Sequence, residues 1–245
     1  MNRFFSSIKN ISHDKILIND GEQVHHIKDV LRMKEKEKIA VFDENGNEYL
    51  SEISEITENG ISANILQRKS SKLNKNEIKL TVACAIPKKS KIDDIIDKLT
   101  QLRVERIIPL ETERVIIKID KSKSQMRHKR WEKIALSAAK QSQRTSIPVV
   151  DPVTTFDGLL KISANFEVKL IPNLCSECKT LKEAVKCAQG KSVLVLIGPE
   201  GDFSKEEVKK AKSFGFIPVS LGGSVLRVET AAVAAASFIK LYEDN

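Results

Sequence analysis

The run Val193-Leu194-Val195-Leu196-Ile197 is apolar at every position. A strand with one face in water alternates apolar and polar residues, so a strand written this way is buried on both faces and belongs to a parallel sheet covered by helices. The chain beyond Ile78 keeps to that constraint, alternating such runs with stretches of helical period. Strands are expected at Ile78–Ile86, Arg106–Leu110, Glu167–Ile171, Ser192–Ile197 and Phe216–Leu221. Helices are expected at Lys91–Arg103, about Gln125–Arg144, Leu181–Gln189, Ser204–Phe214 and Glu229–Tyr242. In sheets of this kind ligands lie beyond the carboxyl ends of the strands.

The first 70 residues follow a different rhythm. Short runs at Lys15–Ile18, Lys38–Phe42, Tyr49–Ile56 and Ile61–Gln67 are separated by turn residues such as Asp43-Glu44-Asn45-Gly46-Asn47 and Asn59-Gly60, the pattern of a small β-barrel. One helix, from about Glu22 to Met33, interrupts it with Val24, Ile27, Val30 and Leu31 on one face. The polar, aperiodic stretch from Arg68 to Asn76 separates the two patterns, giving domains at 1–70 and 78–245 with a linker at 71–77.

The net charge of +8 is unevenly placed: residues 76–150 carry 17 basic and 9 acidic groups, whereas the segments on either side each carry 12 of both. The excess concentrates between Arg114 and Arg144, where ten basic residues accompany only Asp120 and Glu132. Such a patch attracts polyanions by counterion release, although a solvated lysine-rich face would look the same. No apolar run approaches the ~20 residues that cross a bilayer, and no secretory stretch follows Met1, so a cytoplasmic protein without membrane association is expected. Cys175 and Cys178 form a lone C-x-x-C without a second pair or histidines at ligand spacing. No metal site is expected, and the four cysteines read as reduced structural thiols.

Two loops follow strands and are rich in glycine. Gly198-Pro199-Glu200-Gly201-Asp202-Phe203 precedes Ser204 and Glu207, a capping-box pair. The second, Leu221-Gly222-Gly223-Ser224-Val225-Leu226-Arg227-Val228-Glu229-Thr230, runs into the alanine-rich segment Ala231 to Ser237. Neither has the glycine spacing of a dinucleotide or P-loop site. A nucleoside without phosphate cradling would use backbone groups and an apolar sandwich, which Leu196, Ile197, Leu221, Val225 and Leu226 could supply; two tight turns of an α/β protein are the plainer alternative.

The strings Ile197-Gly198-Pro199-Glu200-Gly201 and Leu221-Gly222-x-x-Val225-Leu226-Arg227-Val228-Glu229-Thr230-Ala231 resemble the two signature loops of the bacterial 16S ribosomal RNA uracil-N3 methyltransferases, a SPOUT family. Arg3-Phe4-Phe5, His25-His26-x-x-x-Val30-Leu31-Arg32, Lys98-Leu99-Thr100 and Gln141-Ser142-x-Arg144 with Ile147-Pro148 resemble further pieces of it, in the same order along nearly the whole chain. Two departures fall where the family usually has glycine: Arg103 in Thr100-Gln101-Leu102-Arg103-Val104, and Asp202 in the first loop. Gln101 stands where glutamate is usual, and Ser224 where a basic residue is common.

The resemblance implies an N-terminal PUA-like barrel, a C-terminal trefoil-knotted domain, a homodimer, and S-adenosyl-L-methionine as methyl donor, leaving S-adenosylhomocysteine. It implies 16S rRNA or the 30S subunit as substrate. Cofactor contacts are expected from Leu196, Ile197, Gly198, Pro199, Glu200, Gly201, Leu221, Gly222, Val225 and Leu226. RNA contacts are expected from Arg32, Lys129, Arg130, Lys133 and Arg144, with His25 and His26 contacting RNA or serving structure. Uracil N3 must lose a proton to attack, so a base or a cation that favours the anion of the ring is required. Arg227, Arg144 and Arg3 are the candidate cations, Glu200 and Glu229 the candidate bases; either glutamate could instead be structural. Ribose 2′-O-methylation and a non-catalytic RNA-binding role are the alternatives.

Overall fold

The computed structural model describes residues 1–69, 77–87, 91–114, 121–142, 144, 146–173, 178–186 and 188–243. It divides into two units, Met1–Leu73 with Ala139–Ile147, and Asn74–Ala138 with Pro148–Asn245. The linker expected at 71–77 lies outside the described residues, apart from Glu77.

In the first unit, strands β1 (Arg3–Phe5), β2 (Lys15–Ile18), β3 (Lys38–Phe42), β4 (Glu48–Ile56) and β5 (Ile61–Lys69) form a curled half-barrel in the order β1-β3-β4-β5-β2. Only β1 and β3 pair in parallel, and two register shifts between β4 and β5 mark the bends of the sheet. Ser6, just past β1, donates its hydroxyl to the Leu17 carbonyl of β2 at 2.8 Å, a link between the strands at the two ends of that order. The β3–β4 turn is organised by the fully buried Asp43, whose carboxylate accepts from the backbone N–H groups of Asn45 and Asn47, the Asn47 amide and the Tyr49 hydroxyl. Inward residues Phe4, Ile16, Ile18, Ile39, Val41, Ile53 and Ile61 meet Val24 and Ile27 in one core. The helix carrying these two is shorter than its periodicity suggests. Helix α1 (Gly21–His25) widens into a π turn at His26–Val30 and ends there, with Arg32 at φ +50°.

The second unit holds β6 (Lys79–Ala85), α2 (Lys91–Gln101), β7 (Arg106–Glu111), α3 (Lys121–Gln141), β8 (Val149–Val150), β9 (Thr154–Thr155), α4 (Phe156–Ile162), β10 (Val168–Pro172), β11 (Lys179–Thr180), α5 (Leu181–Val185), β12 (Ser192–Ile197), α6 (Lys205–Ser213), β13 (Ile217–Ser220) and α7 (Val228–Glu243). The last turn of α3 belongs to the first unit. The sheet is parallel throughout, in the order β11-β13-β10-β12-β6-β7-β8, with β9 also pairing β7. Leu194 and Leu196 of β12 enter a core with Phe156, Leu159 and Leu160 of α4, Ala211 of α6, and Phe203. The alternate residues Val193, Val195 and Ile197 are equally buried, as the unbroken apolar run requires, and α7 packs on β6, β12 and α2. The route from β12 out to β13 and back through α7 to β6 and β12 is the re-crossing that a knotted C-terminal end requires. Lys240 fastens that end: its buried ammonium donates to the Ile78 carbonyl at 2.6 Å and pairs with Glu105 at 3.1 Å.

Helix α2 ends in a Schellman motif, with Val104 N–H bonding Leu99 O and Arg103 N–H bonding Thr100 O, while Leu99 and Val104 are both buried. That motif puts its C′ residue in the left-handed region, and Arg103 sits there at φ +59°. Asp202, the other departure from a family glycine, is at φ +58°. Both substitutions therefore occupy backbone that glycine adopts most cheaply. Helix α5 stops four residues before the expected Gln189, and α4 was not foreseen at all.

Candidate functional site

A cavity of about 320 Å³ opens at the carboxyl ends of β10, β12 and β13. Its walls are the two glycine-rich loops, completed by Pro172 at the end of β10, by Asn173 just beyond it, and by Val228 and Ala231 at the start of α7. The first loop is tightly built. Asp202 N–H bonds Pro199 O at 2.9 Å, the Asp202 carboxylate accepts from Phe203 N–H at 2.8 Å, and Arg114 donates to Gly201 O at 2.6 Å. A Cβ on Gly198 would lie 3.1 Å from the Phe203 ring, so a larger residue there requires the ring to give by a few tenths of an ångström. Ser204 and Glu207 form the expected capping box, and the Glu207 carboxylate also accepts from Glu113 N–H at 3.0 Å. In the second loop the Ser220 hydroxyl bonds the Gly222 backbone, at 3.2 Å to its nitrogen and 3.3 Å to its oxygen, and Gly222 takes φ +120°.

Nine of the ten residues expected to contact a cofactor line this cavity: Ile197, Gly198, Pro199, Glu200, Gly201, Leu221, Gly222, Val225 and Leu226. Leu196 does not. Strand alternation sends its side chain into the core beneath α4 and α6, while Ile197 takes the cavity side. Val225 lines the cavity yet is 77% exposed, so the apolar sandwich is open on that side. Residues missed from sequence are Pro172, Asn173, Asp202, Ser220, Ser224, Val228 and Ala231. Each adjoins a strand end or an element already identified, which is the signal that could have found them.

The candidate catalytic residues separate. Glu200 is exposed on the cavity wall, and Arg227 is exposed between the lining residues Leu226 and Val228. Glu229 is engaged by Lys91, 2.5 Å away, whose ammonium holds the carboxyl below the usual glutamate range, with Arg227 adding to the effect. That engagement weakens Glu229 as a proton acceptor. Burial, with the Glu229 and Glu200 charges acting in the same direction, pushes the Cys84 thiol well up and keeps it neutral. Arg3 and Arg144 fall in the N-terminal unit, where Arg3 donates to the Arg144 carbonyl at 3.1 Å, lies 3.2 Å from Glu48 and covers the Phe42 ring. Arg144 is itself buried, its side chain donating to the Ser146 hydroxyl.

The basic segment is not one uniform face. Lys129 and Lys133 are exposed on α3, but Arg130 is paired with Asp93 at 2.5 Å and Lys140 is half-buried. Burial pulls the Lys140 ammonium below its ordinary value against the carboxylates of Asp20 and Glu22. Arg32 is exposed, and His25 is 2.6 Å from Asp29. Cys178 is disulfide-bonded, which departs from the expectation of reduced thiols; Cys84 is free, and Cys175 and Cys187 lie outside the described residues. Among the described residues no cluster of metal-ligating side chains occurs, and no helix is long and apolar enough to cross a membrane.

Residues 74–240 match the model of the RNA methyltransferase domain, and residues 18–66 that of the RNA methyltransferase PUA domain. A ribosomal RNA small subunit methyltransferase E of Bacillus subtilis is 32% identical over 227 residues, covering 89% of this chain and 87% of the relative. Among solved structures, a Legionella pneumophila protein described as a methyltransferase in complex with the cofactor SAM superposes with a TM-score of 0.85 at 30% identity, over 98% of this chain and 97% of that one. A ribosomal RNA small subunit methyltransferase E from Neisseria gonorrhoeae bound to S-adenosyl methionine gives 0.85 at 28%, over 99% and 98%. The two-unit architecture, the paired loops around one cavity and these likenesses together show that the chain belongs to the ribosomal RNA small subunit methyltransferase E family, with a PUA domain joined to a SPOUT RNA methyltransferase domain.

Proposed function

We propose that the protein, as a homodimer, methylates N3 of a uridine in 16S rRNA of the 30S subunit, using S-adenosylmethionine. The observation that carries this reading is the cavity itself. It lies at strand carboxyl ends, is walled by backbone-rich loops and apolar side chains, and has no phosphate-cradling motif, which suits a nucleoside sulfonium rather than a nucleotide. The donor supplies an electrophilic methyl group. The surrounding residues have three tasks.

The first loop, prebuilt by its internal bonds, fixes one wall so that the attacking nitrogen can be aligned with the methyl group. Glu200, exposed on the cavity wall, is the carboxylate assigned to receive the N3 proton. As that proton leaves, negative charge spreads over the uracil ring, and Arg227 is the cation beside the second loop that stabilises it. Arg32, Lys129 and Lys133, all exposed, provide charge for the RNA. The target base is splayed out of its stack to reach the cavity.

The test is mass analysis of nucleosides from small-subunit RNA of a strain lacking this protein, before and after its 30S particles are incubated with purified protein and S-adenosylmethionine. N3-methyluridine is expected to be absent and then restored. If a ribose-methylated nucleoside is restored instead, or nothing is, the base assignment falls.

A further inference from the structure

We infer that a cationic groove on α6, next to the cofactor-sized cavity, seats phosphates of the RNA strand that carries the target base. The groove, about 470 Å³, is lined by Arg114, Lys205, Lys209 and Lys212, and it shares Asn173 and Asp202 with the cavity. All four cations are exposed. The one acidic residue lining the groove, Asp202, already accepts a bond from Phe203 N–H.

The lysines stand at i, i+4 and i+7, so they form one stripe about 10 Å long. Three cations in such a stripe can meet two or three successive phosphates of one strand. The arrangement is poorly explained as helix solubility alone. Lys210, on the same helix, pairs with Asp157 at 2.6 Å, whereas Lys205, Lys209 and Lys212 form no ion pair among the described residues. Lys205 also occupies the first position of α6, where the helix macrodipole disfavours a cation. Arg114 is held at the head of the stripe by its bond to Gly201 O, which ties the groove to the loop walling the cavity.

Geometry selects the partner. A base drawn into the cavity brings its own flanking phosphates to the rim, within one nucleotide of the reacting atom. A row of cations that form no ion pair among the described residues, starting at that rim, is where those phosphates fall. This inference rests on the reading of the chain as an enzyme acting on an RNA base, and it adds a backbone subsite distinct from the α3 residues Lys129 and Lys133.

The test compares the wild type with the K205Q/K209Q/K212Q variant in binding to protein-free 16S rRNA across a salt series. Each lost phosphate contact lowers the slope of log affinity against log salt by roughly 0.7–0.9. The triple variant is therefore expected to lose a slope of about 2 and at least tenfold affinity at low salt, with S-adenosylmethionine affinity unchanged. Lys210→Gln should leave the slope as it was. Should the triple variant fold poorly, Lys209→Gln alone should lower the slope by just under one. An unchanged slope overturns the inference, as does weaker binding to 30S particles with normal binding to protein-free rRNA, which would place an acidic ribosomal protein on the groove. Nucleoside analysis of the wild-type reaction is a separate readout, so failure of the uridine assignment is distinguishable from failure of the groove.

Discussion

The two loops that wall the cavity are built on opposite plans. Residues 198–203 are held from several sides: Gly198 lies against the Phe203 ring, Asp202 caps its own turn, Arg114 grips the Gly201 carbonyl, and Glu207 ties the following helix cap back to Glu113. Residues 221–227 leave Gly222, Gly223, Ser224, Val225 and Arg227 exposed, with the Ser220–Gly222 pair as the hydrogen bond described within the turn. One wall is formed before any ligand arrives. The other is exposed along most of its length and hangs between its anchors, β13 and α7. Sites that must admit and then enclose a small molecule need both kinds of wall, because ordering a loop on binding costs conformational entropy that a prebuilt wall does not.

Substitutions can break that comparison. Gly198→Ala should be the most damaging, because the new Cβ meets a ring packed in the core; a loss of about 1–3 kcal/mol is expected for such overpacking, with at least tenfold weaker cofactor binding by calorimetry. Gly222→Ala has open space around its Cβ and pays only for backbone strain of about 1–2 kcal/mol, so binding should weaken about tenfold while the melting temperature moves less than for Gly198→Ala. Equal melting shifts for the two would mean that the loops are equally rigid.

The left-handed positions sharpen the contrast. Arg103→Gly should stabilise the fold by about 1 kcal/mol. Asp202→Gly should gain less, since the aspartate side chain already bonds the adjacent N–H; thermal melts of the pair decide this.

The Lys91–Glu229 pair at the start of α7 adds a pH signature. The folded Glu229 carboxyl is lowered, so its contribution is present above the ordinary glutamate value of about 4.3 and is lost as pH falls through the lower folded value. Because both groups are partly exposed, the contribution should stay under about 1 kcal/mol, and Glu229→Gln should flatten that part of the acid denaturation profile. Smallest of all, Val225→Ala should change the stability of the free protein by less than about 0.5 kcal/mol, yet weaken cofactor binding severalfold if the second loop closes over its ligand.

Much of the second unit was legible because its strands must be buried on both faces, a condition that leaves few readings of Val193–Ile197 or Ile78–Ile86. The loops were legible from their glycines together with the resemblance of their strings to a known family, since tight turns alone would read the same way. What escaped was decided by contacts distant in sequence. Alternation makes Leu196 and Ile197 face opposite ways, but nothing local marks which of them takes the cavity side, since both are apolar and both are buried. Helix α4 is seven residues long, too short for periodicity to stand out, although the Thr155 cap and the spacing of Phe156, Leu159 and Leu160 encode it. Arg3 and Arg144 read as free cations in the sequence, but packing joins one to the backbone carbonyl of the other. The linear charge count in the middle of the chain likewise could not show that Arg130 is paired or that Lys140 is half-buried.

The N-terminal unit is completed by residues 139–147, among them the Arg144 carbonyl that accepts from Arg3. Its two pieces are separated by the 65 residues from Asn74 to Ala138. At synthesis rates of about 5–20 residues per second, the missing piece follows the first by roughly 3–13 s. The domain that leaves the ribosome first therefore waits, incomplete, for a piece made only after a stretch of the second unit, and during that interval Arg3 has Glu48 and the Phe42 ring beside it but not the carbonyl it will bind.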